Sequence, residues 1–160
     1  MNKIFKTTLF ILLTLTVTAC QMGMTRNADG SLTIETKISQ QELQDVISTS
    51  IADPLVTNVT VSLQSGYALV TGQRKRLNDN SKTDSLTFRL DLSVSNGQLT
   101  AKVSNAQIDG VSIEQNRVDN WNQTIANRLT NFGSRSKNAT LQAISITPEQ
   151  VTMTWNVAKK

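Results

Sequence analysis

The sequence predicts an α+β domain in which a curved antiparallel β-meander sheet packs on or around two amphipathic helices. Three observations predict it. Leu86, Phe88, Leu90, Leu92 and Val94 place apolar side chains at strict period two, the signature of a strand with one buried face. Two other segments repeat at period 3.6, one of them opened by a capping sequence. Turn dipeptides separate the alternating runs. A sheet with one apolar face needs a cover, and two amphipathic helices supply it.

The first helix follows from its start signal. In Ser39-Gln40-Gln41-Glu42 the serine side chain accepts from the third helical amide, while Glu42 reaches back to the serine amide. Ile38 and Leu43 flank this box at staple positions, and Leu43, Val46, Ile47 and Ile51 fall on one face. The helix is expected over 40–51, stopped ahead of Pro54 because the residue before proline is pushed out of the helical region. Before it, Leu32 and Ile34 alternate with polar residues as a short strand.

The meander comes next. Val59, Val61 and Leu63 alternate, Ser65-Gly66 turns, and Tyr67, Leu69 and Thr71 alternate again. Residues 72–82 read as a polar connection. The Leu86–Val94 strand ends at Asn96-Gly97, the strongest short hairpin signal. Leu99, Ala101 and Val103 return from it, with Ile108 and an Asp109-Gly110 turn beyond. A second helix is expected over about 115–131, with Val118, Trp121, Ile125, Leu129 and Phe132 as its stripe and Gly133 as its stop. After a polar loop at 134–139, Leu141, Ile144 and Ile146 lead through Thr147-Pro148-Glu149-Gln150 to Val151, Met153, Trp155 and Val157, a closing hairpin.

The N-terminal segment is of another kind. Lys3 and Lys6 precede an uncharged run from Leu9 to Ala19: a basic start, an apolar middle and a small residue before the cut, as in a secretory signal. The run is about half the roughly 20 residues needed to span a bilayer and is diluted by Thr14, Thr16 and Thr18. Its end, Val17-Thr18-Ala19-Cys20, resembles the lipobox of bacterial lipoproteins. That resemblance implies cleavage after Ala19, a diacylglycerol on Cys20, and membrane attachment through N-terminal acyl chains. Residues 1–19 are thus expected as the signal peptide, 20–30 as the lipidated N-terminus and a polar tether, and 31–160 as a single domain.

Cysteine arithmetic supports this. Cys20 is the one cysteine of the chain, so no intramolecular disulfide exists for it to serve. Two or three acyl chains hold a protein on a bilayer where one holds only marginally. In Gram-negative lipoproteins an Asp after the cysteine signals inner-membrane retention. Gln21 stands here, which points to the outer membrane, facing the periplasm, in such a host.

Composition narrows the chemistry. Without Lys3 and Lys6 the 16 basic residues fall to 14 against 12 acidic ones, too balanced for a nucleic-acid partner on charge alone. The chain has no histidine, and lipid occupies its one thiol. Histidine triads, cysteine nucleophiles and the usual zinc sites are therefore unavailable. No calcium-loop pattern occurs, and neither a metal nor another cofactor is expected. Asp84, Asp91, Asp109, Glu114 and Asp119 are the carboxylates available for glycoside hydrolysis, yet no spacing selects a pair, and an enzyme is not expected. Arg74-Lys75-Arg76 is the densest charge run, read as a solvated loop ahead of a headgroup contact. Three Asn-x-Thr sequons at Asn58, Asn122 and Asn138 carry no weight in a bacterial lipoprotein.

Over about residues 31–158 the layout resembles the tubular lipid-binding (TULIP-like) superfamily, and within it small bacterial lipoproteins of the YceB-like kind. The match lies in the Ile38–Leu43 capping segment, the Leu86–Val103 hairpin and the Val151–Val157 strand after Thr147-Pro148. The Asn58–Thr71 hairpin is short for a deep tube. The resemblance implies a lipid or other apolar ligand in a groove between sheet and helices. The implied lining is Leu43, Ile47, Ile51, Phe88, Leu90, Leu92, Trp121, Ile125, Leu129 and Trp155. The same residue types build an ordinary filled core. The alternative is accordingly a structural or interaction lipoprotein of the cell envelope that docks a protein partner.

Overall fold

The computed structural model describes residues 23–79, 81–134 and 138–159. Strands β1 (Gly23–Arg26) and β2 (Leu32–Ser39) lead into helix α1 (Gln40–Ile51). β3 (Val56–Gln64), β4 (Tyr67–Lys75), β5 (Thr83–Ser95), β6 (Gln98–Ile108) and β7 (Val111–Ser112) follow. Helix α2 (Gln115–Gly133), β8 (Ala139–Ile146) and β9 (Gln150–Val157) complete the domain. The class is α+β, as expected. The strands form two antiparallel sheets, the meander β3-β4-β5-β6-β7 and a second sheet β1-β2-β9-β8, and the structure is not closed into a barrel.

Local chemistry explains most of these elements. At α1 the capping box is complete: Ser39 Oγ accepts from the Glu42 amide, and the Ser39 amide donates to Glu42 Oε2 at 2.8 Å. The helix ends at Ala52, which takes a left-handed conformation at φ 49°. Asn96 and Gly97 both have positive φ, 51° and 73°, as do Asp109 and Gly110, 50° and 78°. These are the backbone angles that tight hairpins of right-handed twist require. Two further positive-φ residues, Asn58 and Asn105 (both φ 53°), sit beside register shifts in β3 and β5–β6, where bulges bend the meander.

Several boundaries differ from the sequence reading. β4 runs on to Lys75 and β5 begins at Thr83, inside the stretch 72–82 taken as connection. Gln73 and Lys75 are exposed there, so the strand ends carry no apolar alternation to mark them. Within the expected tether, residues 20–30, lies β1, which pairs with β2 from Gly23 opposite Glu35 to Arg26 opposite Leu32.

One core joins both sheets and both helices. From α1 come Leu43, Ile47 and Ile51, and from α2 Val118, Trp121, Ile125 and Leu129; Phe132, at the end of that stripe, is exposed. Phe88 on β5 meets Trp121 with ring centroids 5.6 Å apart. The Trp121 indole donates to the Ile51 carbonyl at 3.2 Å, satisfying one of the free carbonyls at the end of α1. Asp53 ties three elements together: in the α1–β3 loop it accepts from the Leu55 amide at 2.9 Å and pairs with Arg74 of β4 and Arg117 of α2.

Candidate functional site

The ten residues assigned to the groove come together, and all are buried. Leu43, Ile47, Leu90, Ile125 and Leu129 have no exposed surface, and Leu92, the most exposed of the ten, shows 9%. Phe88 packs on Trp121, which is bonded to α1, so helix and sheet stripes meet face to face. Two hollows of the surface lie elsewhere. One of about 470 Å³ is lined by polar groups of β3, β4 and β5, among them Thr60, Thr71, Gln73 and Ser85. The other, about 390 Å³, is bounded by Ile108, Val111 and Arg117. None of the ten residues lines either hollow. One atom of the ten stands apart: Trp155 Nε1 is buried without a hydrogen-bond partner. Cys20 lies outside the described residues.

The carboxylates are dispersed into ion pairs and hydrogen bonds, and the Glu114 side chain makes no capping hydrogen bond. Asp91 pairs with Arg89 at 2.6 Å, Glu114 precedes α2 as its N-cap, and Asp119 accepts from Gln115 at 2.8 Å. Asp84 and Asp109 share the Arg76 guanidinium at 2.5 and 3.2 Å. The Ser85 amide above all, with Arg76 beside it, holds the Asp109 carboxyl below the usual carboxylate range. A general acid needs the opposite shift. Among the described residues no group of three potential metal ligands occurs. In the Arg74-Lys75-Arg76 run, both arginines are committed to aspartates, leaving Lys75 exposed.

The sheet edges carry a different kind of information, one that sequence periodicity does not show. An edge strand presents unpaired amides and carbonyls and must be managed. On β3, the Val61 amide donates to Gln44 Oε1 at 3.2 Å and the Leu63 amide to Gln40 Oε1 at 3.3 Å, both acceptors reaching over from α1. On β6, the Val103 amide donates to Asn122 Oδ1 of α2 at 2.6 Å, and two-residue β7 covers the far end. On β8, the Leu141 amide donates to the Gly97 carbonyl, and the Ile146 carbonyl accepts from the Gly66 amide, each at 2.9 Å. Turns of the meander thus close that edge of the second sheet.

β1 has no such closure among the described residues. All four of its residues are exposed. Its register aligns Met24 with Ile34, Ile34 with Trp155 and Trp155 with Leu141. Opposite residues of an antiparallel pair share a face, so these four form one apolar row across the sheet. Leu141 and Trp155 are buried, at 1% and 2%, while Met24 at the open edge is 62% exposed. The row stops short of being covered.

The fold and this edge define a two-sheet α+β domain in which, among the described residues, the β1 edge is left uncovered. No protein-family model, curated protein or solved structure matches the chain.

Proposed function

We propose that this chain is a lipid-anchored docking protein of the cell envelope, held to a membrane through Cys20 and engaging a protein partner through the edge of β1. The observation that carries the reading is the apolar row Leu141–Trp155–Ile34–Met24, which ends exposed at an edge that no described residue closes. A partner strand laid beside β1 would take up its free backbone groups and cover Met24, the mode of β-strand addition. The signal segment and Val17-Thr18-Ala19-Cys20 supply the address: the outer membrane, facing the periplasm, in a Gram-negative host. No helix among the described residues is long and apolar enough to cross a membrane.

The test has two parts. Cys20→Ser should abolish acyl labelling and release the protein from the membrane fraction; unchanged retention without label would refute the anchor. A photo-crosslinking side chain at Thr25 should capture a protein in intact cells, whereas one at Val111, on the far edge of the meander, should not. Equal yields from the two positions would refute the docking edge.

A second reading, a carrier of a lipid or other apolar ligand, is favoured by the unpartnered indole N–H of Trp155. Such a buried donor costs about 1–3 kcal/mol, and a ligand carbonyl would satisfy it. Native mass spectrometry of the Cys20→Ser protein purified from its host separates the readings. Co-purifying lipid that is lost on Trp155→Phe favours the carrier; a bare chain favours docking.

A further inference from the structure

We infer that the occupant of the β1 edge is a second copy of this chain, paired antiparallel, β1 against β1, about a two-fold axis through Met24. The inference rests on the docking reading above and names its partner.

Symmetry restricts the pairing to few registers. A two-fold axis perpendicular to the sheet keeps each copy's inner face on the same side, so a residue of β1 can stand opposite only residues of its own face. The axis must therefore pass through a residue, and within this short strand that means Met24 or Thr25. Centred on Met24, the pair sets Met24 against Met24 of the second copy and Gly23 against Thr25. The apolar row then runs unbroken through both copies, from Leu141 to Leu141, and the exposed thioether becomes its middle. Centred on Thr25, the pair would set Met24 against Arg26. The first register buries the apolar side chain without bringing a charge against it.

The size of the contact says where the pair forms. A stable interface in solution buries about 800 Å² on each partner, far more than four strand residues provide. Such an edge pairs only when its partner is held nearby, and tethering raises effective concentration to about the millimolar range. Two residues separate Cys20 from the first residue of β1, a reach of about 10 Å from Cys20 to Gly23. Copies anchored at Cys20 in one bilayer would carry their β1 edges at the same height. The pair is thus a membrane-bound dimer that dissociates on release.

Introduced cysteines test this in the full-length lipoprotein in its own membrane. Met24→Cys and Thr25→Cys are oxidised mildly, and the disulfide-linked peptides are identified by mass spectrometry. A linked peptide joining residue 24 to residue 24 is expected as the main product, with Thr25→Cys, which stands opposite Gly23 in this register, and Val111→Cys each giving at least tenfold less. Absence of the 24-to-24 peptide from membrane-bound protein overturns the inference, as does a dominant 25-to-25 link or a linkage from these positions to a different chain. Acyl labelling is read on the same samples. A chain that carries no label but still yields the peptide overturns the anchor and the dependence of pairing on it while leaving the β1 contact itself, so the two failures are distinct.

Discussion

Asp53 is the side chain on which most of the tertiary structure converges. Burial pushes its carboxyl pKa up, but the Leu55 amide and the guanidiniums of Arg74 and Arg117 outweigh burial and leave it below the ordinary value. A carboxyl whose folded pKa is depressed stabilises the fold above its unfolded pKa, near 4, and that stability is lost as pH falls through the lower folded value. Asp53→Asn should cost about 2 kcal/mol near neutrality. The gap between parent and variant, read by urea unfolding, should close in acid; a gap independent of pH would contradict the account. Glycines give a second test. Gly66 and Gly97 both have positive φ, but a Cβ at Gly66 meets nothing whereas one at Gly97 meets the Thr140 side chain on β8. Gly66→Ala should cost about 1 kcal/mol from backbone strain alone, and Gly97→Ala clearly more, since it also disturbs the contact that closes the β8 edge.

At the scale of elements, the helices serve as edge covers as well as core. Gln40 and Gln44 are polar positions on a helix whose Leu43 and Ile47 are buried, and each accepts an amide from β3. Gln44→Ala should therefore cost about 1 kcal/mol and speed hydrogen exchange at Val61, with little effect at Val103, which Asn122 holds. Asn122→Ala should do the reverse. Uniform acceleration at both amides would mean that the side chains stabilise the fold without guarding edges. The helices were legible in the sequence because capping and period 3.6 are local signals. α1 spans 40–51 as read, and α2 starts at 115 and runs two residues past the expected 131. The hairpins were legible from Asn96-Gly97 and Asp109-Gly110 for the same reason. β1 was not legible: Gly23-Met24-Thr25-Arg26 has no apolar alternation, and it is a strand because β2 lies beside it.

For the whole molecule, the division into two sheets was hidden for a related reason. β2 and β9 pair Leu32 with Val157, a contact between opposite ends of the domain that no local pattern announces. The ten candidate lining residues were found correctly as apolar and inward-facing, because burial leaves a periodic trace. Whether an inward face is lined or filled leaves none. An open edge leaves no trace either, since it is defined by which strands pair and which are capped. The proposed function thus joins a resemblance read from sequence, that of Val17-Thr18-Ala19-Cys20 to a lipobox, to a feature read from structure, the exposed end of the apolar row at Met24.

Hydrogen exchange across β1 tests that junction most directly. If the proposed anchor holds, the amides of residues 23–26 that face away from β2 should exchange about tenfold or more slowly in membrane-bound protein than in the released Cys20→Ser protein, because pairing protects outward-facing groups. The amides of Val61 and Val103, already held by Gln44 and Asn122, should be unchanged between the two. Equal exchange at 23–26 in both forms would contradict the claim that the anchor brings this edge to its partner.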